Sequence, residues 1–193
     1  MALKLITPPD VEPVSLEEAK NHCRIDGNDE DVLITSLIVA AREYCESFQN
    51  RAYITQTWQL WLDSWPAGSV IPIPRPPLQS VVDVKYYDTN DTEHTLAATD
   101  YFIDDKSEPG RLALSYSKAW PAGVLRPTNG VCVEFTAGYG DDAEAVPQKV
   151  KQAMLLLIGH WYENREAAIA GTISREIEFA VRSLLWLDRV VPI

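Results

Sequence analysis

The hydrophobic period changes twice along this chain, and no other feature limits its fold so strongly. Between Ser15 and Phe48 apolar residues recur every three or four positions, which marks one face of a helix. From about Ile54 to Gly138 the period drops to two and is broken by Pro and Gly, which marks short strands joined by turns. From Pro147 to Glu166 the helical period returns. These switches predict an α+β fold with a mainly helical core of long antiparallel helices. A small antiparallel β insertion interrupts that core, and a C-terminal helical arm follows it. The corresponding division is 1–53 for the N-terminal helical part, 54–140 for the β-rich insertion, 141–170 for the core helix and 171–193 for an arm or docking segment.

Local signals fill in this frame. Thr7-Pro8-Pro9 reads as an extended lead-in, and Ser15-Leu16-Glu17-Glu18 has the form of a capping box that opens a helix running to about Arg24. A longer helix starts at Asn28 or Asp29 and buries Ile34, Ile38, Ala41, Cys45 and Phe48. Arg42, Glu43 and Glu46 fall off that stripe and are expected in water. In the β region Trp58, Leu60 and Leu62 share one strand face, and Gln59, Trp61 and Asp63 share the other. Four prolines between Ile71 and Pro77 exclude a central strand there and predict an edge or arm. Further strands are expected near Val82–Tyr86, Thr92–Leu96, Tyr101–Ile103, Arg111–Ser115 and Val131–Phe135. The helix after Pro147 buries Val150, Ala153, Met154, Leu157, Ile158 and Trp161. Gly171 breaks the chain, and a final short helix spans Val181, Leu184 and Leu185 before Pro192.

Charge excludes one class of function. The net charge is −11, and residues 1–50, 51–138 and 139–193 each carry an acidic excess. Tight binding to nucleic acid draws on Lys and Arg neutralising phosphates, and no segment offers a basic stripe. No stretch approaches the roughly 18 apolar residues of a membrane span. MALKLITPPD has the look of neither a signal peptide nor an anchor. Three widely spaced cysteines, Cys23, Cys45 and Cys132, predict no disulfide framework.

Catalytic signatures are equally sparse. His22 and Cys23 are neighbours on one helix and point about 100° apart, a poor arrangement for a shared metal. His94 and His160 stand alone. Gly138-Tyr139-Gly140 is a lone GxG followed by Asp141, Asp142 and Glu144, whose carboxylates would repel a phosphate. The pairs Asp104-Asp105 and Asp141-Asp142 read as solvated turns, with acid–base work by a small hydrolase as the rival reading. Neither an enzyme, a metal nor a cofactor is expected. One exposed aromatic, Trp61, could stack on a sugar, so a carbohydrate- or protein-binding module using the β insertion is the alternative function. Its competitor is burial of both strand faces.

Motif order adds a resemblance. Ser15–Lys20 is followed by Asp29-Glu30-Asp31 and a helix through Ala40–Glu46. Next come Gln56-Thr57-Trp58, the proline-rich Ile73–Leu78, Phe135–Gly140, Val146-Pro147-Gln148 and His160–Glu166. In this order and spacing the chain resembles the gp6-like head–tail connector (adaptor) proteins of tailed bacteriophages and prophages, from about Ser15 to Arg189. The resemblance implies a structural protein that forms a ring, commonly twelvefold, under the portal of the capsid. Such a ring extends the DNA channel, lets DNA pass without sequence-specific binding and presents a surface to the next neck, stopper or tail component. It implies a place in the virion neck, after assembly in the bacterial host cytoplasm. It also implies that the C-terminal segment meets a neighbouring subunit or the portal through Arg182, Leu184, Leu185, Trp186 and Arg189. If the apolar cluster there serves only assembly, truncation after Gly171 should leave a folded monomer.

Overall fold

In the computed structural model, residues 1–164 and 175–191 are described. They divide into two compact units, one comprising Met1–Pro9 with Thr55–Tyr139 and the other Asp10–Ile54 with Gly140–Ile193.

The first unit is all β. Its strands are β1 (Ala2–Thr7), β2 (Gln56–Leu62), β3 (Val70–Ile73), β4 (Leu78–Tyr87), β5 (Glu93–Thr95), β6 (Tyr101–Asp104), β7 (Gly110–Leu114) and β8 (Val131–Ala137). They form two antiparallel sheets, in the orders β1-β2-β8-β4-β5 and β3-β7-β6. Alternation decides which side chains go inside. Leu60, Val84, Val133 and Phe135 from the larger sheet are buried, as are Ile71, Ile73 and Leu112 from the smaller. The sheets meet closely at Gly110, where a Cβ would stand 2.6 Å from Leu78 Cδ2. The proline segment does supply an edge strand, β3, which carries Pro72 and pairs only with β7.

The second unit is helical, with α1 (Leu16–Cys23), α2 (Asp31–Gln49), α3 (Gln148–Glu163) and α4 (Arg175–Leu185), the last followed by a 3₁₀ turn at Trp186–Asp188. The capping box forms as expected: Ser15 Oγ accepts from the Glu18 amide at 3.1 Å, and Glu18 Oε2 accepts from the Ser15 amide at 2.7 Å. Lys20 Nζ bridges the entry to α2 by donating to Asn28 Oδ1 and Asp31 Oδ1. α2 buries Ile34, Ile38, Ala41 and Cys45 against the stripe of Val150, Ala153, Met154, Leu157 and Ile158 on α3. Glu166, Gly171 and Pro192, which bound the expected C-terminal elements, lie outside the described residues.

Three expectations are corrected. The chain is not a mainly helical core of long helices with a small insertion: it is 34% helix and 28% strand, with four short helices and eight strands among the described residues. The short strands each give a weak signal, yet two stacked sheets assemble their own hydrophobic core. Thr7, read with Pro8 and Pro9 as a lead-in, instead ends an edge strand, β1, that was not expected and whose backbone groups pair with β2. Arg42 and Glu46 are not in water, being only 6% and 5% exposed, whereas Glu43 is exposed as expected. Arg42 Nε meets Glu12 Oε2 at 2.9 Å and its Nη1 meets Glu46 Oε2 at 2.9 Å, while Glu46 Oε1 accepts from the Tyr53 amide at 2.8 Å. Helical periodicity reports angle around one axis, and it carries no sign of Glu12 or Tyr53, which lie outside α2.

Candidate functional site

The strongest candidate for a working surface is α4 with the turn behind it. Val181 and Leu185, one helical turn apart, are 1% and 0% exposed and anchor the helix in its unit. Phe179, Arg182 and Trp186 fall on another face by their spacing. Phe179 is 75% exposed, Trp186 60% and Leu187 85%, and Arg182 is exposed as well. Large apolar side chains clustered in water mark interaction sites on soluble proteins.

Polar contacts hold this surface in place from the C-terminal end of α2. Gln49 Nε2 donates to Leu185 O, Asn50 Nδ2 to Val190 O and Arg51 Nε to Asp188 O, and the Val190 amide donates to Gln49 O. Lys149 pairs with Asp188. The Arg189 guanidinium lies 5.5 Å from the Trp186 ring centroid and 5.2 Å from that of Phe48, a cation–π arrangement that orients Trp186 outward.

Of the interface residues expected from the sequence, Arg182, Trp186 and Arg189 are exposed, Leu184 is half-buried and Leu185 is a core residue. Phe179 and Leu187 were missed by the sequence reading. The seven-residue spacing from Phe179 to Trp186 was the available signal.

Trp61 is no free platform. Its ring stacks on Tyr87 at 6.0 Å and 24°, and Arg126 lies 4.0 Å over Tyr87 and 5.8 Å over Trp61. Arg126 is itself fixed by Asp91 and by Asn129 O. The sugar-stacking face is therefore partly occupied by the chain's own side chains.

Of the residues considered for chemistry, Asp104 is structurally engaged. Asp104 accepts from Ser107 Oγ and from Arg111, and these bonds hold its carboxyl well below the usual range. Asp141 and Asp142 are exposed loop residues. His22, Cys23, Gly159, Tyr162 and Glu163 line an open cleft of about 380 Å³. Burial, followed by the charge of Glu163, pushes the Cys23 thiol up, away from the thiolate a nucleophile needs. Among the described residues no group of three His, Cys, Asp or Glu side chains is placed to hold a metal ion, and no helix is long and apolar enough to cross a membrane.

Comparison with known proteins gives this surface a context. The family model for phage gp6-like head-tail connector proteins matches residues 13–107. Over that stretch the chain is similar to the phage gp6-like head-tail connector family. The match runs from the segment before α1 through α2 and the strands to β6. A chain in the neck of an empty GTA particle, computed with C6 symmetry, is 23% identical, with a TM-score of 0.84 over 100% of this chain and 97% of that one. A chain of the virion of a native gene transfer agent (GTA) particle is 24% identical, with a TM-score of 0.81 and the same coverage. A chain in the neck of the native particle, computed with C12 symmetry, is 24% identical, with a TM-score of 0.77 and again the same coverage. At these identities the likeness is one of fold, and it takes in both units of the chain. No curated protein matches the sequence.

Proposed function

We propose that this protein is a structural head–tail connector of a tailed-phage-like particle: a subunit of a ring in the particle neck that extends the DNA channel and joins capsid to tail. The observation that carries this reading is the coincidence of the gp6-like family match with a fold likeness covering 100% of the chain to a protein of a particle neck. The ring would sit under the portal and, by analogy with the twelvefold neck symmetry, be a dodecamer when assembled in the host cytoplasm. Its portal-facing and neighbour-facing contacts would include the stripe of Arg182, Trp186 and Arg189. The work is done by surfaces rather than by a reactive group.

The charge fits that task. Both units are acidic overall. A basic channel would hold the duplex through counterion release, whereas an acidic one leaves it free to slide. A net charge of −11 also keeps subunits apart in solution before assembly.

Electron microscopy of the purified chain over a range of concentrations, with and without a portal protein, tests the proposal. Closed rings, alone or seated on the portal, are expected. A chain that stays monomeric in every condition would refute it.

A further inference from the structure

An open sheet ends in two strands whose outer N–H and C=O groups lack a ladder partner, and proteins that stay alone blunt such edges with proline, charge or short strands. The two sheets of the β unit have four edges: β1 and β5 in the larger, β3 and β6 in the smaller. Two are blunted. β5 is three residues long and carries Glu93, and one of the four positions of β3 is Pro72, which has no N–H. On β1 and β6 the charges stand singly, at Lys4 and at the terminal Asp104. Both strands show large apolar side chains instead: Leu5 is 39% exposed and Ile6 40% on β1, and Phe102 is 66% exposed and Ile103 42% on β6.

The cross-strand rows explain part of this exposure. Leu3 stands opposite Leu60 and Leu5 opposite Trp58, while Ile103 stands opposite Leu112, which in turn faces Ile71. Leu60, Leu112 and Ile71 are buried. Leu3, Leu5 and Ile103 continue those inward rows to the sheet edge, and among the described strands none lies beyond them. A further strand would satisfy the free backbone groups and extend the buried rows at once. The two edges match in length: β1 pairs regularly over Ala2–Leu5 before its bulge, and β6 spans Tyr101–Asp104. Antiparallel pairing with Leu3 opposite Ile103 also sets Leu5 against Tyr101, and Lys4 against Phe102, whose ring the lysine stem and ammonium can cover. One repeated β1-on-β6 contact covers both edges of every subunit and is heterologous, as a cyclic ring requires. Symmetrical β1 pairs and β6 pairs would have to alternate.

We propose that β1 of one copy adds to the free edge of β6 of a second copy, antiparallel, with Leu3 opposite Ile103 and Lys4 opposite Phe102. This rests on the ring reading above and adds main-chain pairing to its subunit contacts.

The test uses the full chain with Cys23→Ser, so that the half-exposed native thiol does not interfere. Lys4→Cys and Phe102→Cys are introduced together and, as controls, singly. Under mild oxidation the double variant should give a ladder of multimers on a non-reducing gel, while each single variant stays largely monomeric. In parallel, the concentration needed for half-assembly is compared for Phe102→Glu and Phe102→Lys. Phe102→Glu meets Lys4 and should assemble at about tenfold lower concentration than Phe102→Lys, the scale of exchanging a like-charge cross-strand pair for an opposite one. Adding Lys4→Glu to each should invert that order, an outcome misfolding cannot produce. Rings visible by microscopy that give no ladder, or an order at position 102 that ignores Lys4→Glu, would overturn the edge pairing and leave the connector reading intact. A single cysteine variant that dimerises as readily as the double variant cross-links would also overturn it, in favour of symmetrical pairing. A wild-type chain that forms no ring with or without portal would overturn the connector reading itself, and this inference with it.

Discussion

Replacing Arg42 tests the reasoning about the helical unit most directly. The Arg42 side chain is 7% exposed and that of Glu46 is 7% exposed, while Glu12 is 25% exposed. In Arg42→Met the apolar stem keeps most of its packing, but the buried Glu46 carboxylate loses the Arg42 guanidinium and retains the Tyr53 amide. Breaking a buried pair from one side costs about 3–5 kcal/mol. Glu12 can turn to water, so the lower end, about 3 kcal/mol, is expected. For a domain of this size that corresponds to a fall in Tm of roughly 6–12 °C. Urea titration followed by circular dichroism at 222 nm reports it, and Glu46→Gln completes a double-mutant cycle whose coupling should exceed about 1.5 kcal/mol. The pH dependence has a definite sign. Burial, only partly offset by Arg42, raises Glu12 above its ordinary 4.5. The folded state therefore binds this proton more tightly than the unfolded state, and stability falls as pH rises from about 4.5 through the raised value. Glu12→Gln should flatten that slope. A loss below about 1 kcal/mol in Arg42→Met, with no coupling to Glu46, would show that the network does not hold α2 in place.

Other consequences are open to simple measurements. Gly110→Ala places a Cβ 2.7 Å from Leu78 Cβ, and should destabilise the β unit by about 1–3 kcal/mol in urea titration. Truncation after Gly171 removes the buried Val181 and Leu185. The loss should exceed the about 2–5 kcal/mol of a single large-to-small core change, so calorimetry should find the helical unit unfolded or strongly destabilised rather than a stable folded monomer. Cys45 and Cys132 are 0% and 1% exposed, and burial, as the leading cause, pushes each thiol up to about 12. A thiol reagent at pH 8 should accordingly modify one cysteine, Cys23, in the native protein and three in denaturant.

Local patterns were legible wherever one segment contained its own cause. The capping box at Ser15 and Glu18, the stripe on α2, the edge assignment of the proline segment and the strand alternation all rest on neighbours within a few residues. Features that rest on distant partners were not. β1 is a strand because β2 lies beside it, and nothing in MALKLIT alone demands that pairing. Arg42 is buried because Glu12, thirty positions away, and Glu46 neutralise it, so its position off the apolar stripe misled. The α4 surface shows both limits in one place. Its amphipathic spacing was readable, but Leu185 and Trp186 are adjacent, and only the tertiary anchoring by Gln49 and Arg51 decides that the first packs inward while the second points to solvent. The same limit applies one level up. An interface of the proposed ring would join residues that share no chain, and no neighbour within this one sequence accounts for the exposure of Trp186 and Leu187.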